Sequence, residues 1–250
     1  MTPNRTDPII ESTSIRALVF DVFGTVVDWR GGVVREGEAL TASRGWQADW
    51  PALADAWRAG YQPAMQRAMQ PGADGQVVWS HIDALHRGIL ETLLPRFGLD
   101  QLDEAERAHL NLVWHRLDPW PDVLAGLRRL KAKFTISTLS NGNVSLLVDM
   151  AKRARLPWDC VLSAELFRRY KPDPAVYLGA AELLGVSPAE LLMVAAHPSD
   201  LAAAAAAGLK TAYVERPLEH GPGGHRAPPA GQRFDHVAAS FVDLAAQLGA

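Results

Sequence analysis

The sequence predicts an α/β protein whose core is a Rossmann-like, doubly wound parallel sheet and which carries an inserted helical cap subdomain. Two observations predict this fold class. Short, almost wholly apolar runs alternate with helical stretches, as they do when crossover helices join parallel strands. The alternation is interrupted between residues 33 and 115, where helical segments follow one another without a strand. A chain of 250 residues that is 48% apolar can bury such a core.

The first predicted strand covers residues 15–20 and ends at Asp21, shortly before a glycine that suits a turn. Similar apolar runs recur at residues 134–139, 160–163, 191–194 and 211–214. Between them, one crossover helix each is expected at residues 144–155, 174–184 and 200–208. In sheets of this kind, ligands bind beyond the carboxyl ends of the strands.

The interruption predicts a helical insertion. Its helical segments cover residues 50–69, 78–97 and 103–117, and the insertion contains five of the eight tryptophans: Trp46, Trp50, Trp57, Trp79 and Trp114. We therefore expect the insertion to have its own hydrophobic core. Because it follows directly on the first strand and its acidic turn, we also expect it to lie over the strand ends as a lid.

These elements divide the chain into three regions. We predict a flexible N-terminal tail at residues 1–14, a catalytic core at residues 15–32 and 116–250, and the cap at residues 33–115. Residues 217–231 are rich in Gly, Pro and His and are expected to form a long surface loop. A homodimer formed through the cap is a further hypothesis.

Composition excludes several classes of function. The formal net charge of −3 lacks the basic excess of proteins that bind nucleic acid or anionic lipid. The single cysteine, Cys160, excludes an internal disulfide and a thiolate cluster for a structural metal. The first residues are polar rather than signal-like, and no apolar run approaches the length of a membrane span. We expect a soluble, cytoplasmic protein.

Four polar segments stand where the strands of such a sheet end. They are DVFGT from Asp21, SNG from Ser140, YKPDP from Tyr170 and HPSD from His197. The SNG turn opens a helix, so its free backbone N–H groups suit an anion. Because the carboxyl ends of parallel strands share one edge of the sheet, we expect these segments to meet in one site.

Four stretches, in this order, resemble motifs of the haloacid dehalogenase superfamily: FDVFGTVVDWR, LSNG, YKPDPAVY and AAHPSD. Their individual residues are similar to those of its type II 2-haloacid dehalogenase branch. The resemblance covers nearly the whole chain from Ile15 onward. Each motif alone is common, whereas all four in order are specific.

Two positions separate this branch from the phosphatases of the superfamily. Those enzymes have an acid two residues after the nucleophile, where this chain has Phe23, and an acidic pair for magnesium, where this chain has His197 and Asp200. A halide leaves without a proton, and one carboxylate beside Asp21 makes a poor magnesium site. The resemblance therefore implies carbon–halogen cleavage with no metal and no other cofactor.

The resemblance implies that Asp21 displaces halide from the α carbon with inversion and that water then hydrolyses the resulting ester. Two carboxylates about 4 Å apart repel by on the order of 4 kcal/mol at an effective dielectric near 20, so cations must offset this. We expect Lys171 to pair with Asp21 and keep its pKa low. The backbone N–H groups near Asn141 and Gly142 are expected to hold the substrate carboxylate.

Further roles also come from the resemblance. Arg58, in the cap, would draw off the halide together with Asn141. Thr25 and Ser140 would orient Asp21, and Tyr177 would support the site. The remaining predicted substrate contacts are Val22, Phe23 and a hydrophobic wall at Trp79.

The last motif departs from the pattern of many relatives, which have small hydroxyl residues and an asparagine where this chain has Ala195, Ala196 and His197. We hypothesise that a neutral His197 imidazole assists water activation or positions Asp200. The alternative is a histidine that only hydrogen-bonds at the strand end. The other histidines show no metal-binding spacing and are interpreted as surface or structural: His81, His86, His109, His115, His220, His225 and His236.

The predicted function is hydrolysis of short 2-haloacids, such as chloroacetate or (S)-2-chloropropionate, to the 2-hydroxyacid and halide. The expected partners are therefore the haloacid and halide, with no nucleic acid and no membrane. Two alternatives stay open: another superfamily hydrolase such as a small phosphatase, and a non-catalytic binding protein. The halogen that is preferred, fluoride included, is not determined by the sequence.

Overall fold

The computed structural model of the protein describes residues 14–72, 75–224 and 230–250. Apart from Ser14, the predicted tail lies outside the described residues, as do His225 and part of the predicted loop at 217–231. Within the described part, no helix combines the length and apolar content that a membrane crossing requires.

The core is a six-stranded, wholly parallel sheet, as predicted. Its strands are β1 (Ala17–Phe20), β2 (Thr135–Ser140), β3 (Cys160–Ser163), β4 (Leu191–Ala195), β5 (Lys210–Val214) and β6 (His236–Ala238). They lie in the order β3-β2-β1-β4-β5-β6. The chain therefore winds outward from β1 to one side and then returns beside β1 as β4, which makes the end of β1 the crevice where such sheets bind ligands.

Helices cover both faces of the sheet and build the cap. The first four helices after β1 are α1 (Trp29–Arg44), α2 (Trp50–Ala68), α3 (Ile82–Leu93) and α4 (Glu104–Asn111). The remaining helices are α5 (Val123–Lys131), α6 (Val144–Ala154), α7 (Pro174–Leu183), α8 (Pro198–Ala206) and α9 (Phe241–Gln247). The sequence prediction missed α1, α5, α9 and the short strand β6.

The cap differs from its prediction in two ways. Helix α1 begins at Trp29, capped by the Asp28 side chain that accepts from the N–H of Gly31 at 2.8 Å, so the predicted boundary at residue 33 falls inside a helix. The last two predicted segments end in 3-10 turns, Leu94–Phe97 and Leu112–His115. The first of these turns begins at a Leu-Pro step, where the α-helix gives way.

The expectation of a separate cap core is wrong. One continuous cluster of buried side chains contains Leu18 and Phe20 of β1 together with Trp57 and Trp114 of the cap. The opposite face of the sheet, with Val19 and its neighbours, packs on α7 and α8 in a second cluster. Successive β1 residues alternate between these faces, so one side of β1 faces the cap and fixes it over the strand ends.

Candidate active site

Asp21 stands at the switch point of the sheet. Its backbone N–H donates to the Val194 carbonyl of β4 at 3.0 Å, and its side chain is buried. Oδ1 of Asp21 accepts a hydrogen bond from Lys171 Nζ at 3.0 Å. Oδ2 accepts two, from the Thr25 hydroxyl at 2.7 Å and from His197 Nδ1 at 2.9 Å. Thr25 is itself held by the N–H of Ala196 at 2.9 Å, so it lies where the sequence predicted.

Lys171 joins Asp21 to a second carboxylate. Its Nζ lies 2.5 Å from Oδ2 of Asp200, and the Tyr177 hydroxyl donates to the other oxygen of Asp200 at 2.5 Å. Helix α7, whose N-cap Asp173 accepts from the N–H of Ala175, carries Tyr177 on the face that packs toward the sheet. The structure thus brings Asp21, Lys171, Tyr177 and Asp200 together, as predicted.

Burial and charge oppose each other at this pair. Burial raises the pKa of the Asp21 carboxyl. The Lys171 ammonium and the His197 ring lower this pKa by more than burial raises it, so the pKa of Asp21 lies well below its usual value. Burial lowers the pKa of Lys171, while Asp200 and Asp21 together raise it above its usual value. Asp21 is therefore ionised and Lys171 protonated at neutral pH.

His197 contacts Asp200 through the backbone, where its carbonyl accepts from the N–H of Asp200 at 3.1 Å, whereas its ring bonds two other carboxylates. The hypothesis that His197 assists water activation or positions Asp200 stays a prediction. Nδ1 of His197 faces Oδ2 of Asp21, and its Nε2 lies 2.9 Å from Oε1 of Glu219. Burial lowers the pKa of His197, but the charges of Glu219 and Asp21 raise it to about 10. The ring is therefore an imidazolium at neutral pH, and the neutral imidazole that the sequence suggested is not the resting form.

Glu219 is the main residue of the site that the sequence analysis missed. It belongs to the predicted surface loop, within the described part at residues 217–224, yet only 5% of its surface is exposed. Its Oε1 also accepts from Trp29 Nε1 at 3.1 Å. A Cβ at Gly24, where φ is +86°, would lie 2.2 Å from this oxygen, so the glycine provides the space for the carboxylate. The expectation of an exposed loop is wrong for Glu219.

One of the two backbone donors predicted in the SNG turn already has a partner, while the role of Asn141 toward substrate and halide stays a prediction. The Gly142 N–H donates to Ser140 Oγ at 3.1 Å, so this N–H is already satisfied within the turn. Ser140 accepts that bond, and its predicted role in orienting Asp21 stays a prediction. The Asn141 side chain accepts from the N–H of Lys171 at 2.7 Å and donates to the Lys171 carbonyl at 3.3 Å. Asn141 thereby fixes the lysine segment against the end of β2.

Arg58 extends from α2 toward the site. Its guanidinium lies 4.6 Å from the ring centroid of Tyr61 and 5.6 Å from that of Trp29. Among the described residues, its Nη1 is buried without a hydrogen-bond partner. A buried cationic donor without a partner is costly unless a ligand completes it. Nη1 of Arg58 is thus a donor whose partner the described residues do not supply.

These side chains surround a cavity of about 460 Å³. Its lining residues are Asp21, Phe23, Arg58, Tyr61, Gln62, Asn141, Lys171, Pro172, Tyr177, His197, Ser199 and Asp200. The sequence analysis missed Tyr61, Gln62, Pro172 and Ser199. Tyr61 and Gln62 had a signal, because they lie three and four positions after Arg58 on one helix and so share its face.

Two predicted contacts lie elsewhere. Trp79 packs on Tyr170 with ring centroids 4.5 Å apart and ring planes tilted by 32°, and it is not among the residues that line the cavity. Val22 is buried in the core cluster that joins sheet and cap. Phe23 does line the cavity, with its ring edge-on to Trp114 at 5.6 Å.

Two cap histidines lie outside the cavity lining. His86 is fully buried against Trp114, with ring centroids 4.3 Å apart, and burial lowers its pKa to about 3. His115 lies between two carboxylates, 3.2 Å from Asp83 of the cap and 2.8 Å from Asp149 of α6. Throughout the described residues, no three His, Cys, Asp or Glu side chains are grouped to hold a metal ion; the expectation of no metal stays a prediction.

The fold and the site define a doubly wound α/β enzyme with a buried, ionised aspartate at the end of its central strand and a lysine paired to it. The family model for haloacid dehalogenase-like hydrolases matches residues 15–208. This chain belongs to that family.

Curated relatives and solved structures agree with this assignment. The chain is 30% identical to (S)-2-haloacid dehalogenase 4A of Burkholderia cepacia over 81% of this chain and 84% of the relative. It is 49% identical to the crystal structure of the L-2-haloacid dehalogenase PA0810, with a TM-score of 0.88 and coverage of 94% and 99% of the two chains. The defluorinating L-2-haloacid dehalogenase Rha0230 is 44% identical, with a TM-score of 0.89 and coverage of 96% and 98%.

Proposed function

We propose that this protein hydrolyses the carbon–halogen bond of short 2-haloacids, such as haloacetates and (S)-2-halopropionates, to give 2-hydroxyacids and halide. The observation that carries the proposal is the setting of Asp21. It is ionised and bonded to the Lys171 ammonium, while Phe23, where a phosphatase would have its acid, presents a ring to the same cavity. The site therefore suits a leaving group that departs without a proton.

In the first step, an oxygen of Asp21 attacks the α carbon from the side opposite the halogen. The new carbon–oxygen bond forms as the carbon–halogen bond breaks, and the halide leaves with the electron pair, which inverts the carbon and leaves an aspartyl ester. Arg58 is the candidate acceptor of the halide, because its unpartnered Nη1 belongs to a side chain that lines the cavity. Lys171 and Arg58 offset the charge of the substrate carboxylate.

In the second step, water attacks Cγ of Asp21. One proton of the water passes to a base, the ester bond breaks at Cγ, and the departing oxygen becomes the hydroxyl of the product. Asp200 is the candidate base, since it lines the cavity and is held by Lys171 and Tyr177. Overall, water and haloacid give hydroxyacid, halide and a proton that reaches solvent.

Fluoride belongs to the proposed range of leaving groups. Rha0230, which is described as defluorinating, is 44% identical to this chain. Fluoride is the halide that accepts the strongest hydrogen bonds, and it leaves only where N–H donors meet it. The unpartnered Nη1 of Arg58 is such a donor.

The test is halide release from fluoro-, chloro- and bromoacetate and from both 2-chloropropionate enantiomers, with chelator present. Asp21→Asn should lose at least about a thousandfold in rate, because an amide is a poor nucleophile. Asp235→Asn, which changes the same charge beside Lys210 at the edge of the sheet, should keep the activity. A generic phosphatase assay run beside it tests the alternative enzyme. Phosphate release without halide release would favour a phosphatase, and neither activity would favour a binding protein.

The association state and the cellular location are part of the proposal. We propose a homodimer formed through the cap, supported by apolar side chains that the cap exposes, Val78 at 76% and Leu112 at 42%. Val78→Asp with Leu112→Asp should shift the protein to monomer in size-exclusion chromatography, and an unchanged dimer would place the interface elsewhere. We also propose a cytoplasmic location, which cell fractionation tests.

A further inference from the structure

The two carboxylate oxygens of Asp21 are not equivalent. Oδ1 accepts one hydrogen bond, from Lys171, whereas Oδ2 accepts two, from Thr25 and His197. An oxygen that already accepts two strong bonds is the poorer nucleophile, so Oδ1 is the atom that attacks. Oδ2 then becomes the carbonyl oxygen of the ester.

When water adds to the Asp21 ester, the carbonyl electron pair moves onto Oδ2. The Thr25 hydroxyl at 2.7 Å and His197 Nδ1 at 2.9 Å already lie at the distances that stabilise such an oxyanion. We propose that Thr25 and the His197 imidazolium form the oxyanion-binding pair of the second step, and that the buried Glu219 is the positioning residue that keeps His197 protonated for this task. This inference rests on the proposed function.

The geometry itself requires a doubly protonated ring. Both nitrogens of His197 face carboxylate oxygens, which only accept hydrogen bonds when ionised, so both nitrogens must donate. Once Asp21 is esterified, it carries no charge. Glu219 is then the carboxylate that remains bonded to the ring and holds its proton.

The structure around Glu219 is built to present one oxygen to His197. Trp29 Nε1 donates to the same Oε1 at 3.1 Å, and Gly24 leaves the space that a side chain would fill. Burial raises the pKa of Glu219, but the His197 charge lowers it below its usual value. Glu219 is therefore a carboxylate, and its bond to His197 is an ion pair.

The atoms and charges balance through the step. The water oxygen bonds to Cγ, its first proton passes to Asp200, and the electron pair rests on Oδ2 between Thr25 and His197. On collapse this pair restores the carbonyl, and the Cγ–Oδ1 bond breaks. Oδ1 leaves in the product and takes a proton to become its hydroxyl. His197 keeps its protons throughout, as an electrostatic partner rather than a base.

The cavities that His197 lines contain the other charged or titratable groups that bear on its pH dependence: Asp21, Asp55, Arg58, Tyr61, Lys171, Tyr177, Asp200, Tyr213, Arg216, Glu219 and His220. Lys171 has its pKa raised above its usual value, so it keeps its charge through the range in which His197 titrates. With Asp21 ionised, the pKa of His197 is about 10, and esterification removes the Asp21 charge that helps to raise it. Hydrolysis of the ester should therefore slow at a pH below about 10, while halide release continues.

The experiment measures the two steps separately in Glu219→Gln. Rapid mixing with 2-chloropropionate should release the first equivalent of chloride within about threefold of the wild-type rate, while steady-state kcat falls at least about tenfold. Mass spectrometry should find the ester on Asp21. The alkaline fall of kcat should move down by at least about one pH unit, because the imidazolium has lost its ion pair. Glu190→Gln, at the opposite end of β4, is the matched control and should show none of these changes.

The results that overturn the inference are equally specific. The inference is wrong if Glu219→Gln keeps the wild-type kcat and pH profile. It is also wrong if the variant slows release of the first chloride equivalent as much as it slows steady-state turnover and no ester is found on Asp21. A third measurement uses the wild-type enzyme, so it does not depend on a variant that folds: raising the pH from about 8 to about 10.5 should convert steady turnover into one equivalent of chloride followed by a stall. Steady turnover without ester accumulation at the higher pH would overturn it, whereas no halide release at either pH would reject the proposed function itself.

Discussion

Lys171 Nζ lies 3.0 Å from Oδ1 of Asp21, and both side chains are buried at the end of the central strand. The lysine also bonds Asp200, so one ammonium serves two carboxylates. The Asn141 side chain bonds the backbone N–H and carbonyl of Lys171 and so holds this segment. The Lys171–Asp21 pair determines both the ionisation of Asp21 and the charge that a haloacid meets when it enters the cavity.

Removing the ammonium should reveal its role. In Lys171→Met, Asp21 loses its strongest charge partner while it stays buried, so its pKa should rise from below the usual value toward or above it. The rate of the first halide equivalent should fall at least about a hundredfold at neutral pH, and the acid limb of the rate profile should move to higher pH. A pH profile of single-turnover halide release checks this. An acid limb that stays where it is in the wild type would contradict it.

Replacing the cap arginine should affect the first step. Arg58→Met removes the unpartnered Nη1. KM for chloroacetate should therefore rise, and the rate of release of the first halide equivalent should fall by about a hundredfold. Arg67→Met, an exposed position on the same helix, is the control. The loss should be larger for fluoroacetate than for bromoacetate, because fluoride depends more on hydrogen bonds. Equal losses for both substrates would mean that Arg58 does not contact the halide.

Gly24 should be sensitive through Glu219. In Gly24→Ala the new Cβ would overlap Oε1 of Glu219, and φ of +86° is unfavourable for alanine. The carboxylate should be displaced from His197, and the alkaline limb of kcat should move down as in Glu219→Gln. A variant with lower stability but the wild-type pH profile would show that Gly24 has only a backbone role.

The cap and core should unfold together. Trp114 contacts Trp57 of the cap and Phe23 of the core, with ring centroids 5.4 Å and 5.6 Å away. Trp114→Ala should lower the free energy of unfolding by about 3–5 kcal/mol and keep a single transition, since one buried cluster spans both parts. Denaturant unfolding followed by circular dichroism and by tryptophan fluorescence checks this. Two separated transitions would indicate a cap that is stable on its own.

His115 should make the junction of cap and core pH-dependent. Burial lowers the pKa of His115, but its bonds to Asp83 and Asp149 raise it above its usual value. The stabilisation is therefore full below about pH 6.5, the unfolded-state pKa, and is lost as the pH rises through the folded-state pKa. His115→Gln should cost about 1 kcal/mol at low pH and less at high pH. A cost that does not change with pH would contradict this ion pair.

The sequence predicted the sheet and the position of the site because the responsible signals are local. Short apolar runs define strands wherever they occur, and Asp21, Lys171 and Asp200 each follow such a run or open the helix after it. Parallel topology then brings the strand ends together, so these three residues could be expected to meet. Strand β6, with three residues, has too few positions for the same signal.

Residues that act through distant packing could not be predicted in this way. Glu219 stands in a Gly- and Pro-rich segment with no local pattern, and only the tertiary structure buries it against Trp29 and His197. That contact also makes His197 a cation, which the unperturbed pKa of histidine did not suggest. Trp79 was predicted to form a hydrophobic wall of the site from its residue type alone. In the structure it packs against the ring of Tyr170.

The most direct test of the central claim follows oxygen in a single turnover. Enzyme in excess over (S)-2-chloropropionate is mixed in water enriched in oxygen-18, and the Asp21 peptide and the product are weighed by mass spectrometry. We predict one heavy oxygen in the Asp21 carboxylate and none in the hydroxyl of the product, because Asp21 gives its own oxygen to the substrate. Heavy oxygen in the product hydroxyl and none in Asp21 would mean that water displaces the halide directly, and would contradict the account.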